Sequence, residues 1–272
     1  MSFNQPPPPP PPGGTPPPPP GGYGGPPPPQ QPPQPYGAGG SSSQWDLGAA
    51  LSYGWSKFQA NTAQLIVATL AILGGAIVIG VVYFVVNSAM SPDYVCDSDA
   101  LFDCHYEDGA PFLVRFPISI LLSMLFFVYA QVVGSGIIRG ALGITEGREF
   151  QAGQVFKFDN IGPVLVTSLI VGAATFVGTI LCIIPGIIVA FLTSYSLFFV
   201  VDKNLAPMDA IKASIDLTKN NLGQTIIWYI VGGIIAEVGF LICGVGALVS
   251  IPVVIIGTAY TYKKLTGQQV VA

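Results

Sequence analysis

The residues with the most chemical capacity lie between Asn87 and Phe112, where Cys96, Cys104, His105 and six acids (Asp93, Asp97, Asp99, Asp103, Glu107 and Asp108) share one short loop. Two cysteines separated by seven residues can close a small disulfide loop if they face an oxidising compartment. Such a bridge between Cys96 and Cys104 would pin an otherwise mobile segment, with about 2 to 3 kcal/mol of stabilisation in the chain-entropy description. The acids do not make a calcium loop. Asp97, Asp99 and Asp103 suit positions 1, 3 and 7, but Leu101 stands at position 5, Phe102 replaces the required glycine and Asp108 replaces the bidentate glutamate. His105 is alone in the chain and cannot supply a multi-histidine metal site. No Ser-His-Asp, metal or phosphate-loop constellation is legible, so the sequence predicts no catalytic residue, no metal, no cofactor and no enzyme.

One acid stands apart. Glu237 lies inside an apolar segment, where an ionised carboxylate at the bilayer centre costs about 2.5 to 3.5 kcal/mol on insertion scales. It is expected to face the bundle, a wet cavity or a partner, or to stay protonated. Two roles stay open: a proton- or cation-coupled site, or a structural hydrogen bond near the outer interface. Cys182 and Cys243 fall near the outer ends of the third and fifth apolar segments, the latter the one that holds Glu237, and either pack as apolar thiols or pair with each other.

The elements that position these residues follow from composition. The chain is 51% hydrophobic and 9% charged, against about 25% charged content in soluble domains. From Ala63 to Val86 no charge appears, and Phe116 to Ile138 is similar. Each is long enough for the roughly 20 helical residues that a hydrocarbon core of about 30 Å requires. Ile161 to Val201 is uncharged for twice that length, with a turn signal at Pro185 and Gly186. Leu222 to Tyr262 is again about two crossings, with Gly244 and Gly246 near its centre. The expectation is an all-α, multipass transmembrane bundle over residues 44–266, with six spans at about 63–86, 116–138, 161–182, 185–201, 223–243 and 245–262 and an outer loop over 87–115. The fourth is the shortest after its turn, and reads as short, tilted or partly re-entrant.

Basic residues set the expected orientation, because cytoplasmic loops near spans carry excess Lys and Arg. With six spans and an internal N-terminus, Lys57, the loop of Arg139, Arg148 and Lys157, the loop of Lys203, Lys212 and Lys219, and the pair Lys263 and Lys264 share one side, leaving Arg115 on the other. Both termini are therefore expected in the cytoplasm of a cell whose plasma membrane the chain crosses. No basic patch points to nucleic acid.

Residues 1–43 hold 19 of the 26 prolines, in runs broken by glycine pairs, and lack the basic and apolar regions of a signal peptide. Such a segment builds no core and is expected to be disordered. It reads either as an arm that docks cytosolic proteins through its Pro runs and Tyr23 or Tyr36, or as an inert solubilising tail.

Each hairpin is preceded by a short amphipathic or interfacial segment: 47–61, 155–161 and 207–222. Lys57-Phe58 matches Lys157-Phe158, and at an offset of 160 Ala50 pairs with Ala210, Leu51 with Ile211, Asn61 with Asn221 and Gln64 with Gln224. In the third segment Pro207 suits a first helical turn, and Met208, Ile211 and Ile215 form an apolar stripe opposite Asp209, Lys212, Asp216 and Lys219. Small residues Gly136 and Gly140, and Gly232, Gly233, Ala236 and Gly239, allow close helix approach, either within the chain or in a homo-oligomer.

Gly136-Ile-Ile-Arg-Gly-Ala-Leu142 with Gly147, Ile184-Pro-Gly-Ile187, and Ala210 with Ser214, Leu217 and Thr218 resemble the landmarks of a broad group of bacterial integral membrane proteins. That group includes the membrane domain fused to some glycerophosphodiester phosphodiesterases. With its Pro- and Gly-rich head, the chain is most similar to the proline-and-glycine-rich transmembrane proteins of actinobacteria. No phosphodiesterase domain accompanies the landmarks, so the resemblance implies a membrane fold and no enzymatic activity. The expected role is a membrane-embedded interaction or scaffold protein with the lipid bilayer and a cytosolic protein as partners. The alternative is a small-solute or ion transporter working through Glu237.

Overall fold

The computed structural model describes residues 45–92, 94–96, 104–106, 109–241 and 246–272; the expected tail over 1–43 and most of the acidic loop lie outside them. The chain is helical. In order come α1 (Leu47–Ala89), the short strands β1 (Tyr94–Cys96) and β2 (Cys104–Tyr106), α2 (Phe112–Thr145), a 3-10 turn (Ala152–Phe156), α3 (Ile161–Leu181), α4 (Ile183–Leu192), α5 (Ser196–Lys203), α6 (Pro207–Asn220), α7 (Leu222–Leu241) and α8 (Ala247–Leu265).

Among the described residues, five helices are long and apolar enough to cross a membrane: α1, α2, α3, the α4–α5 pair and α7. The sixth expected span is α8. It falls short on composition because its last turns carry Thr258, Tyr260, Thr261, Tyr262, Lys263 and Lys264. It runs antiparallel to α1: a Cβ on Gly54 would lie 2.6 Å from the Val253 carbonyl oxygen, and one on Gly257 would lie 3.3 Å from the Ala50 carbonyl oxygen. The chain thus ends its helical course at the end of the bundle where it began, consistent with an even number of passes.

Several boundaries differ from expectation. The surface helix expected over 47–61 and the span over 63–86 form one rod of 43 residues, roughly 65 Å at 1.5 Å per residue and about twice a hydrocarbon core. Nothing interrupts it, since the intervening Asn61, Thr62 and Gln64 are tolerated in a helix. Asp46 starts it by accepting from the Ala49 N–H at 2.7 Å. The hairpin between the third and fourth spans breaks at Cys182, which is extended, and not at Pro185 and Gly186. Pro185 sits in the first turn of α4, where its missing N–H is harmless. Gly186 lets α4 approach α3 so closely that a side chain there would collide with Thr179.

The expected fourth span is itself broken at Thr193–Tyr195, between α4 and α5. Ser214 bridges that break: its hydroxyl accepts from the Tyr195 N–H at 3.1 Å and donates to the Leu192 carbonyl at 2.9 Å. Helix α6 begins with Pro207 as expected. Its buried face is Ala210, Ile211, Ala213, Ser214, Leu217 and Thr218, while Met208, expected in the stripe, is 51% exposed. The rotation arises because α6 packs on α3, α4 and α5 through small residues instead of lying on a lipid surface.

The core gathers at one end of the bundle, built from the first half of α1 (Phe58, Leu65, Ala68), the end of α2 (Ala141, Leu142, Ile144), α5, α6 and α8. Away from it, α1, α2, α3 and α7 present large apolar side chains outward, including Ile77, Val78, Phe84, Leu121, Leu169 and Ile234. Such a continuous band suits contact with lipid. Its backbone needs no outside partners because helices bond internally.

Candidate functional site: a buried charge latch at the basic end

The densest polar arrangement among the described residues joins the ends of α2, α5 and α8. Lys263, on the last turns of α8, is 3% exposed. Its ammonium donates to Asp202 Oδ1 at 2.6 Å, Gln268 Oε1 at 2.8 Å and Glu146 Oε1 at 3.0 Å. Those three acceptors use all three ammonium protons. Asp202, at the end of α5, also accepts from Tyr262 Oη at 3.0 Å and Gln268 Nε2 at 3.1 Å, and Lys203 lies 3.2 Å away. A buried cation is expensive unless paired and hydrogen-bonded, and here it is both.

Local sequence explains how each group arrives. Helix α2 ends in a Schellman turn: Gly147 has φ of +82°, its N–H donates to the Ile144 carbonyl, and the Arg148 N–H donates to the Gly143 carbonyl. That turn fixes Glu146, which Arg148 also binds at 2.5 Å. The Tyr262 ring is buried among Tyr195, Phe198 and Phe199, at centroid distances of 6.3, 5.5 and 5.1 Å, which holds its hydroxyl towards Asp202. Beyond α8 the chain folds back as a strap. Gln268 enters the latch, and the Val271 N–H donates to the Thr145 carbonyl at 2.9 Å. Tyr53 Oη of α1 donates to the Ile144 and Val271 carbonyls. Trp45 Nε1 donates to Thr261 Oγ1 at 3.1 Å, so the start of the described chain is held at this same end.

Chemically this is a clasp. Lys263 has no free proton site to offer a substrate, and the latch contains no nucleophile paired with a base. Among the described residues no group of three His, Cys, Asp or Glu side chains is arranged to hold a metal.

The residues singled out in the sequence fall elsewhere. Glu237 lies on the exposed face of α7 and has no hydrogen bond or ion pair among the described residues, so it makes no structural hydrogen bond within the described bundle. Of the expected placements, the outward position leaves a partner beyond the described residues or a protonated carboxyl, and not the interior of the bundle. Cys182 is exposed at the α3–α4 break and free, and Cys243 lies outside the described residues. The backbone register of the β1–β2 pair sets Cys96 opposite Cys104. Gly136 and Gly140 are consumed within the chain: a side chain at Gly136 would collide with Val155, and one at Gly140 with the Phe150 ring. A side chain at Gly239 would likewise collide with Ser250 of α8 and one at Gly232 would press on Val254 at 3.3 Å, whereas Gly233 faces open space.

The internal repeat has a partial structural counterpart. Ala50 and Ala210 are both fully buried, and Asn61 and Asn221 each donate to the carbonyl four residues earlier. Lys57-Phe58 and Lys157-Phe158 are not equivalent, with Phe58 5% exposed and Phe158 68% exposed. The latch was not legible in advance. Lys203 and Lys263 registered only as topology signals, and Glu146, Asp202 and Gln268 carry no motif. The sole local hint was an acid, Asp202, abutting a basic loop.

An apolar multipass helical bundle, closed at its basic end by a buried ion pair, is an integral membrane protein. The chain is 34% identical over 238 residues to the uncharacterized protein Rv2560 of Mycobacterium tuberculosis H37Rv, an alignment covering 85% of this chain and 71% of that one. The uncharacterized proteins Mb2590 of Mycobacterium bovis and MT2637 of Mycobacterium tuberculosis CDC 1551 match with the same identity and coverage. The chain belongs to this family of mycobacterial proteins. No family model matches it, and no solved structure does.

Proposed function

We propose that the protein is a non-enzymatic membrane-embedded interaction protein of the plasma membrane, which presents residues 1–43 to cytosolic partners from a rigid platform. The observation that carries this reading is the Trp45–Thr261 hydrogen bond. It anchors the root of the Pro-rich arm beside Lys263, Lys264 and the C-terminal strap, at the end where the basic residues gather. By the positive-inside rule that end is cytoplasmic, so both termini are internal. The outer loop over 90–111 is then extracytoplasmic, and a Cys96–Cys104 disulfide there forms part of the proposal.

Kinship with the membrane domain of glycerophosphodiester phosphodiesterases also belongs to the proposal and carries no hydrolytic activity with it. Its landmark residues serve packing: Gly136 and Gly140 admit the 150–155 segment, Gly147 ends α2, and Ser214 mends the α4–α5 break. Transport through Glu237 gains no support from the outward position of that residue.

In-cell crosslinking of the full chain and of a version lacking residues 1–43 tests the reading. Protein adducts present with the full chain and lost with the arm support it. An identical adduct pattern in both versions removes the arm's recruiting role. Adducts between copies of the chain, in either version, would identify self-association.

A further inference from the structure

Between α1, α2 and α8 lies a cavity of about 440 Å³, within the range of pockets that hold small ligands. Its deep wall includes Leu65, Ala141 and Ile256, which are 5%, 2% and 2% exposed. It reaches the outer surface of the bundle at Leu73, which also lines it and is 44% exposed. Thr69 supplies the one polar side chain of the wall, and its hydroxyl is turned back to the Leu65 carbonyl at 2.7 Å.

Three occupancies are physically distinct. An empty space of this size forfeits dispersion contacts along its whole wall, a cost that rises with volume in a tightly packed interior. Water needs two to four polar partners, and apolar cavities without them stay dry. Hydrocarbon has neither problem. It is also the medium at the mouth, since Leu70 and Ile77, which flank Leu73 on α1, are 58% and 63% exposed within a candidate span.

We propose that this cavity is a lateral binding site for one acyl chain of a bilayer phospholipid, which enters past Leu73 and lies against Leu65, Ala141 and Ile256. The site is independent of the Pro-rich arm and of the charge latch. It makes one lipid tail a structural ligand between the three helices that carry most of the core.

The full chain reconstituted in phosphatidylglycerol vesicles, doped with phosphatidylglycerol bearing a mid-chain diazirine, provides the test after irradiation and peptide mapping. Expected are adducts on Leu65, Ala141 and Ile256, besides those on exposed Leu70 and Ile77. Filling the space with Ala68→Leu or Ala141→Phe should lower the buried adducts at least tenfold and leave Leu70 and Ile77 labelled as before. Adducts confined to exposed residues in the unsubstituted chain overturn the proposal, an outcome that does not depend on any variant folding. So does labelling of the buried set by a diazirine fatty acid but not by the phospholipid, which would assign the site to a free acid. Crosslinks from the buried set to a second copy of the chain would overturn it in favour of a protein occupant.

Discussion

Asn160 and Asn204 both hold left-handed backbone, with φ of 57° and 52°, and the Asn160 side-chain amide donates to Asn204 Oδ1. One residue precedes α3 and the other ends α5, so a single contact ties two unusual turns together. Asparagine tolerates this region better than residues without a short polar side chain. Asn160→Ala should therefore cost about 1 to 2 kcal/mol, and Asn160→Gly less, because glycine keeps the backbone conformation and loses only the hydrogen bond. Thermal unfolding in detergent micelles, followed by helical circular dichroism, would order the variants. Equal losses for both would mean that the hydrogen bond, and not the backbone, sets the preference.

The Lys263–Asp202 pair predicts a non-additive pattern. The two side chains are 4% and 6% exposed, and when either is removed the buried survivor keeps only a more exposed ionic partner, Glu146 for Lys263 and Lys203 for Asp202. Lys263→Met or Asp202→Asn should each cost about 2 to 3 kcal/mol, whereas Lys263→Met with Asp202→Leu should recover much of that loss. Arg148→Ala, at an ion pair whose side chains are 66% and 40% exposed, should cost no more than about 1 kcal/mol. A double variant no more stable than the singles would contradict the latch.

Glycines give a directional test of the helix contacts. Gly136→Ala and Gly140→Ala meet Val155 and Phe150, so each should destabilise by about 1 to 3 kcal/mol through overpacking. Gly233→Ala meets nothing and should be neutral or stabilising by up to about 1 kcal/mol. If Gly233→Ala instead disrupted a crosslinked dimer while sparing the monomer's stability, that face of α7 would be a contact between copies.

Ser214→Ala removes the bridge across the α4–α5 break and strands the Leu192 carbonyl and the Tyr195 N–H. The expected cost is about 1 to 3 kcal/mol. Hydrogen exchange at the Tyr195 amide should accelerate relative to the amides of α3, and an unchanged rate would mean that the break is held by packing alone.

The backbone register of β1 and β2 pairs Cys96 with Cys104. A thiol reagent added to unreduced cells should leave both unmodified until reductant is supplied, while exposed Cys182 remains available as an internal control. Modification of both without reductant would dismiss the disulfide.

Much of the fold was legible because membrane helices announce themselves through composition. The apolar runs at 63–86 and 116–138 lie inside α1 and α2, Pro207 opens α6, and the landmark Gly147 closes α2. Boundaries were less legible. Nothing local says that α1 continues unbroken from Leu47, or that Cys182 rather than Pro185 ends the third helix, because Pro in a first turn and Gly in a close contact look the same in sequence as a hairpin signal. The sequence leaves Glu237 free to face the bundle, a wet cavity or a partner because lipid penalises charge, and which face of α7 packs on α8 sets it outward.

The sequence by itself determined that this chain is a membrane-spanning helical protein and which loops share a charge sign, since hydropathy and charge are properties of short windows. Tertiary structure alone decided the latch, the strap and the apolar cavity between α1, α2 and α8. Lys263 meets Asp202 across 61 residues and Glu146 across 117, and Trp45 meets Thr261 across 216. Contacts at such separations depend on how the helices pack, and no local pattern of residues encodes them.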